Sequence, residues 1–307
     1  MFKEYPKISY SQLFCMLLVS RLSSEIVYPR TSSGTALEAV FALVISEIVR
    51  FLLALPLIIY SFNGCNIHRS VYNKNKVLGW LGAVFAALLL IAAALRTMFN
   101  LSQFAVKSLL PGGVMWIVFA LAAIFAVYSA FMGTEALARA GAVFLIAAAV
   151  VTLTVMLADI PFINIRSFDS FRDMGDSSSL LSDIIERVMR GGDYLIFAAM
   201  LPYVSRNRKS ELGRTAILFA IFSTIAALLI CAFNCLVLRG LYGQTEYPFL
   251  ASASLSDISL FKRLDGFAAA VWSLCAAFRC GVLLLSAENA LIEVYKAGHS
   301  QKKEAAG

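Results

Sequence analysis

Apolar residues run along this chain in long blocks. They show neither the strict alternation of a half-buried strand nor the single stripe of a soluble helix. Residues 77–94, 114–132 and 141–158 are almost uninterrupted. Blocks of about 18–20 residues are what an α-helix needs to cross roughly 30 Å of hydrocarbon. The pattern predicts eight spanning segments, near 9–29, 36–60, 77–108, 112–132, 134–158, 180–205 (with a break), 213–240 and 264–287. Most connections are short, and the longer ones fall at 159–179 and 241–263. The expected organisation is one polytopic transmembrane domain over 1–290, followed by a polar cytoplasmic tail over 291–307.

Composition agrees with that pattern. The 307 residues are 60% hydrophobic and only 15% charged, with a mean hydropathy of +0.79. A soluble domain carries about 25% charged residues, so the chain reads as an all-α integral membrane protein in direct contact with the lipid bilayer. The first segment is expected to be retained as a helix: Lys3, Glu4 and Lys7 give weak charge before it, and no A-x-A-like cleavage site follows. The net charge of +7 needs no nucleic acid to explain it. Basic residues collect in loop 61–76 (Arg69, Lys74, Lys76), in SRNRKSELGR (Arg206, Arg208, Lys209, Arg214) and in the tail (Lys296, Lys302, Lys303). Positive charge marks the cytoplasmic side, so with eight spans both termini are expected in the cytoplasm. Five of the six cysteines fall in apolar segments and Cys65 in a loop, without C-x-x-C spacing. They read as free thiols packed as small apolar residues.

Polar residues inside the apolar blocks carry the chemistry. The first segment contains LLVSRLSSEIVYPR, and Ser20 lies about 17 Å along a helix begun at Ser9, close to the middle of a bilayer. Ser20, Arg21, Ser23, Ser24, Glu25 and Pro29 interrupt the apolar pattern there. One reading is an unwound joint over 20–25, with the backbone buried in protein or lining a wet cavity. The other is a continuous helix in which Arg21 and Glu25, four residues apart, pair on one face. The sixth segment offers a second interruption. A short amphipathic piece ends in Gly191-Gly192-Asp193 before an apolar piece begins, and paired glycines each cost a helix about 1 kcal/mol. Two interrupted segments, the first and the sixth, are the signature of a five-plus-five inverted-repeat transporter, with half-helix ends aimed at a small zwitterion or ion.

Ionisable side chains within spans are costly and mark candidate sites. Glu25 and Asp193 are candidates for a ligand amine or cation, against pairing with Arg21 and helix capping respectively. Arg96 and Asn100 share a face and suit a carboxylate, against structural pairing with an acid such as Glu47. Arg279 has no partner in its own turns and must point inward. The candidate ligand-binding set is therefore Ser20, Ser23, Ser24, Glu25, Arg96, Asn100, Gly191, Gly192, Asp193 and Arg279. Glu47 with Arg50, and Glu135 with Arg139, read as intrahelical pairs. His68 and His299 stand in polar segments without metal-ligand spacing. No nucleotide loop, G-x-S-x-G, H-E-x-x-H or carboxylate dyad occurs, so neither enzyme chemistry nor a cofactor nor a metal site is expected.

Four stretches, in order, carry a resemblance to a known family. They are ISYSQLFCMLLVSRLSSEIVYP, GTEALARAGAVF, GGDYLIFAAMLPYVSRNRKS and FKRLDGFAAAVWSL, the last with Arg263, Asp265 and Trp272. Together, over about 8–290, they resemble the endospore germination permeases, the B subunits of GerA-type spore germinant receptors, within the amino acid–polyamine–organocation superfamily. Asp193 stands where that family usually has Glu, and SRLSSE replaces its glycine-rich joint in the first helix. The resemblance implies a LeuT-like inverted-repeat fold of ten helices, here truncated to about eight, with the first and sixth discontinuous. It also implies an amino-acid germinant, other receptor subunits as membrane partners, and a cell-membrane or spore-inner-membrane location. The missing helices nine and ten imply either a partner that fills their place or a shortened, non-transporting relative. An amino-acid secondary transporter and a scaffold subunit are the alternatives.

The charge asymmetry makes a topology prediction. A single cysteine placed at Lys302 in a cysteine-free background should react with a membrane-impermeant maleimide only after the membrane is opened. Labelling of intact cells would reverse the orientation.

Overall fold

A computed structural model describes residues 8–30, 36–62, 71–72, 74–163, 177–205, 209–255 and 264–304. Cys65, His68, Arg69, Arg206, Arg208 and Arg263 lie outside the described residues, as do the side chains of Lys209, His299, Lys302 and Lys303. The described chain is helical: α1 Tyr10–Val27, α2 Ala36–Phe62, α3 Lys76–Ser108, α4 Met115–Ala158, α5 Ser177–Met189, α6 Asp193–Met200, α7 Lys209–Leu238, α8 Pro248–Ala253 and α9 Leu264–Glu304. Short 3-10 turns cover Ile160–Phe162, Leu201–Tyr203 and Arg239–Gln244.

Local chemistry sets these boundaries. Ser9 caps α1 in a reciprocal capping box with Gln12, its hydroxyl accepting from the Gln12 backbone N–H at 3.2 Å. Tyr28, which precedes Pro29, has φ −76° and ψ 131° and ends the helix, as the residue before a proline is pushed out of the helical region. Asn75 caps α3 by accepting from the N–H groups of Val77 (3.1 Å) and Leu78 (3.3 Å). The gap predicted between 132 and 134 is Gly133, at φ 84° and ψ 174°, a left-handed backbone that glycine adopts without a Cβ penalty. The bend there is sharp. Ser129, before it, and Phe144, after it, both reach one short stretch of α9: a Cβ on Gly281 would lie 2.5 Å from Ser129 Cβ, and the Phe144 and Phe278 rings are 5.1 Å apart.

Among the described residues five helices are long and apolar enough to cross a membrane: those over Leu37–Ile59, Lys76–Ser108, Met115–Ala158, Gly213–Leu238 and Leu264–Lys296. Eight segments were expected, and the difference has physical causes. The 44 residues of α4 combine two predicted segments across Gly133. Helices α5 and α6 have 13 and 8 residues and neither spans alone. Helix α1 is too polar to face lipid, and it is wrapped by protein, with Leu13, Met16, Leu17 and Val19 fully buried. Helix α9 continues to Glu304, through most of the polar stretch after residue 290.

Helix α9 is the axis of the bundle. Two thirds (67%) of its apolar window is buried, against 28% for α3 and for α4, which turn mostly outward. Trp272, Phe278 and Arg279 are its largest buried side chains. It runs antiparallel to α3: the Cys280 thiol meets the Ala94 carbonyl, while Val294 clusters with Ala83. Helix α1 packs on α4 at Gly141, where a Cβ would lie 3.0 Å from Met16 Cα, the close approach that small residues permit between membrane helices. An isolated parallel bridge ties the start of α1 to the end of α6, with Ile8 N–H donating to Tyr203 C=O (2.9 Å) and Ser205 N–H to Ile8 C=O (3.0 Å). Since Ser20 meets Asp193 at the other end, α1 and α6 are antiparallel neighbours. Leu53, Val77, Leu81, Phe85, Ile124 and Phe131 form an exposed apolar exterior, which suits lipid and not water.

Gly281→Ala should lower thermal stability by about 1–3 kcal/mol through overpacking against Ser129, or several degrees in Tm. Gly82→Ala, on a helix surface with nothing within 4 Å of the added carbon, should leave Tm unchanged or raised. Equal behaviour of the two in a detergent melting assay would contradict the packing described.

Candidate functional site

The site is built on the break between α5 and α6. Helix α5 stops at Met189, the Gly191 N–H closes a last turn on the Val188 carbonyl (3.0 Å), and α6 starts at Asp193 with Gly192 as its cap. Packing is tight at Gly191 and leaves ordinary van der Waals room at Gly192. A Cβ on Gly191 would lie 2.7 Å from Arg50 Cδ, and one on Gly192 would lie 3.4 Å from Leu283 Cδ2. The interruption expected in the sixth segment is therefore present.

The interruption expected in the first segment is absent. Helix α1 is continuous from Tyr10 to Val27, so the discontinuous first helix is corrected. The serines that look like breakers bond back along their own helix: Ser23 Oγ donates to the Ser20 carbonyl (2.9 Å) and Ser24 Oγ to the Arg21 carbonyl (2.7 Å). Arg21 and Glu25 pair one turn apart at 2.5 Å, and Pro29 falls beyond the end of the helix.

Around the break lie two linked ionic groups. In the first, Arg279 of α9 joins α1 and the split helix. Its Nη1 donates to Asp193 Oδ1 (3.0 Å) and to the Ser20 carbonyl, and its Nη2 donates to the Arg190 carbonyl (3.0 Å). Ser20 Oγ also donates to Asp193 Oδ1 at 3.0 Å. Ser20 and Arg279 are fully buried and Asp193 is 2% exposed. The Arg190 carbonyl is an orphan of the helix end. In the second group, Arg21 lies 2.5 Å from Glu47 of α2, Glu47 pairs with Arg50 at 2.8 Å, and Arg187 of α5 donates to Glu25 at 2.9 Å. Arg190 completes the frame, donating to Glu186 (2.8 Å) and to the Pro29 carbonyl (3.0 Å).

Ser20, Asp193 and Arg279 thus meet directly. Ser24 accepts from Arg21 Nη1 at 3.1 Å, Glu25 sits at the centre of the second group, and Ser23 serves α1 alone. Arg96 and Asn100 do not act as a pair. Arg96 is 37% exposed, lies 3.7 Å from Glu186 and sits 5.5 Å from the Tyr28 ring centroid. Its acid partner is therefore Glu186, and Glu47 belongs to Arg21 and Arg50. Asn100 is buried one turn further along α3. Sequence reasoning missed Arg187 and Arg190. Their signal was the i, i+4 spacing of Asp183–Arg187 and Glu186–Arg190 on an amphipathic helix, which also describes a surface helix. Glu135 and Arg139 pair within α4 on an exposed face, as expected.

Beside the second group is a small cavity of about 40 Å³, lined by Glu25, Arg30, Asp183, Arg187, Asn234 and Tyr242 among others. A water needs about 10–15 Å³ on this measure, so the cavity holds about three waters and no amino acid in the present geometry. Both signs of charge line it. Among the described residues no group of three or more His, Cys, Asp or Glu is arranged to hold a metal ion.

The buried charges should be strongly interdependent. Glu47→Gln leaves Arg21 and Arg50 short of a carboxylate and should cost about 3–5 kcal/mol of stability. Adding Arg50→Met should restore part of it, giving a double-mutant coupling above about 0.5 kcal/mol in denaturation experiments. Strict additivity would mean that the pair carries no net coupling.

No curated protein matches the sequence closely enough to serve as a relative. A family model described as spore germination protein (Spore_permease) matches residues 7–304, nearly the whole chain. Five apolar membrane-length helices and this match agree on an integral membrane protein of permease type. The chain belongs to the spore germination protein family, Spore_permease.

Proposed function

We propose that this protein is the membrane subunit of a spore germinant receptor that binds a small nutrient, an amino acid by class, and so triggers germination. The observation that carries the reading is the cavity beside the helix break, lined by Arg30 and Arg187 together with Asp183 and Glu25. A zwitterion needs both signs within a few ångströms: guanidinium for its carboxylate and carboxylate for its ammonium. The break gives the trigger. A ligand larger than the present cavity must displace α5, and Gly191-Gly192 is the hinge about which α5 swings. Separation of Arg187 from Glu25 then frees α1 and α2 to shift, and neighbouring receptor subunits receive that movement.

The reading includes a single transmembrane domain in the cell membrane or spore inner membrane, with cytoplasmic termini. It also includes an inverted-repeat, LeuT-like arrangement in which α1 departs from the pattern by being continuous. The antiparallel run of α1 beside α6, with both packed on α9, supports that arrangement. Ser20, Glu25, Gly191, Gly192, Asp193 and Arg279 frame the site. Ser23, Ser24, Arg96 and Asn100 flank it. A scaffold role is the second reading, favoured by how fully the charges already satisfy one another. An amino-acid transporter is the third.

Spores lacking the protein, complemented with wild type or with Asp183→Asn, distinguish these readings. The sensor reading expects the variant to need about 10–100-fold more amino acid for a half-maximal germination rate, equivalent to about 1.4–2.8 kcal/mol of lost binding, at unchanged membrane abundance. Full restoration by Asp183→Asn and Glu25→Gln would favour the scaffold. Uptake of labelled amino acid into vesicles would favour the transporter.

A further inference from the structure

The oxygen atoms that surround the Arg279 guanidinium form a cation site. The Arg190 carbonyl ends α5, where the helix dipole places partial negative charge. The Ser20 carbonyl comes from the side of α1, and Asp193 supplies a full negative charge from the first turn of α6. Ser20 Oγ stands against the same carboxylate oxygen at 3.0 Å. All are hard oxygen ligands from three chain segments gathered around one guanidinium, the ligand type that dissolved alkali and alkaline-earth cations use. A second observation adds to this. Asp193 Oδ2 is buried and has no hydrogen-bond partner, so the site keeps an acceptor that its present occupant leaves unused. The occupant is a side chain of α9, fully buried and unable to leave.

We propose that Arg279 is a tethered cation occupying an oxygen-lined monovalent-cation site between α1, the α5–α6 break and α9. The built-in charge makes the closed arrangement of the split helix independent of sodium or potassium. It holds three segments together permanently, where a dissolved ion would do so only while bound. With the side chain removed, the same oxygens surround an open space that takes a small free cation. Guanidinium fits best, because it reproduces the planar donors the site already satisfies.

The test uses the full chain in detergent, followed by thermal unfolding at constant ionic strength in sodium, potassium or choline chloride. Wild-type Tm should be the same in all three. Arg279→Ala should melt at least about 5 °C lower in choline chloride. Millimolar guanidinium, far below denaturing levels, should recover at least half of that loss, through preferential binding to the folded state. Arg279→Ala combined with Asp193→Asn should lose the recovery. A wild-type protein stabilised by sodium or potassium over choline would overturn the proposal, and this reading needs no variant to fold. A folded Arg279→Ala protein that guanidinium, sodium and potassium all leave unchanged would also overturn it. No germinant enters the assay, so its outcome is independent of the proposed sensing role.

Discussion

Charge balance inside an apolar bundle is the constraint on which the rest of this structure depends. Five arginines (Arg21, Arg50, Arg187, Arg190 and Arg279) meet four carboxylates (Glu25, Glu47, Glu186 and Asp193) with little or no exposure. Removing each ion from water costs several kcal/mol, and only close opposite charge with further hydrogen bonds offsets that. Here the compensation comes mainly from other helices: α1 to α2, α1 to α5, and α9 to α6. Sliding any one of these helices by a turn would strand a buried charge, so the pairs specify how the helices are set against one another. Close approaches at Gly141 and Gly281 add a steric constraint on the same setting.

The same constraint explains the broken helix. The interruption at Gly191-Gly192 leaves room for the Arg50 side chain and opens the Arg190 carbonyl to Arg279. The orphan carbonyl of Arg190 is satisfied by Arg279, and Asp193 begins the next helix in contact with both α1 and α9. A continuous helix would hide that carbonyl in its own ladder and leave Arg279 one acceptor short. In α1 the same need is met without unwinding, because side chains on one helical face reach their partners. Serine hydroxyls there return to carbonyls of their own helix and leave the backbone ladder intact.

The location of the site in one break, instead of two facing breaks, changes how movement would arise. Helix α5 is short and amphipathic and ends at the glycine pair, with Arg187 bonded to Glu25 of α1 and Arg190 bonded to the Pro29 carbonyl just beyond α1. Helix α1 is fixed by its N-terminal cap, by the bridge to the end of α6 and by close packing on Gly141. In the proposed sensing movement α5 is therefore the element a ligand displaces first, and α1 and α2 respond once the Arg187–Glu25 contact opens.

The amino-acid sequence by itself determined that this chain is a helical membrane protein, where most of its helices run, and that residues 190–193 interrupt one of them. Those conclusions rest on local physics: block length against bilayer thickness, the cost of paired glycines, and proline after Tyr28. It also pointed to Ser20, Asp193 and Arg279, because polar groups in apolar blocks must find partners. The identity of the partners was decided only by tertiary structure. Arg96 joins Glu186 and not Asn100, Glu47 serves two arginines on two helices, and the residues of SRLSSE lie inside a continuous helix. Sequence spacing reports which side chains share a face. Which face meets which, in a bundle of similar apolar helices, depends on long-range ion pairs that no local pattern encodes.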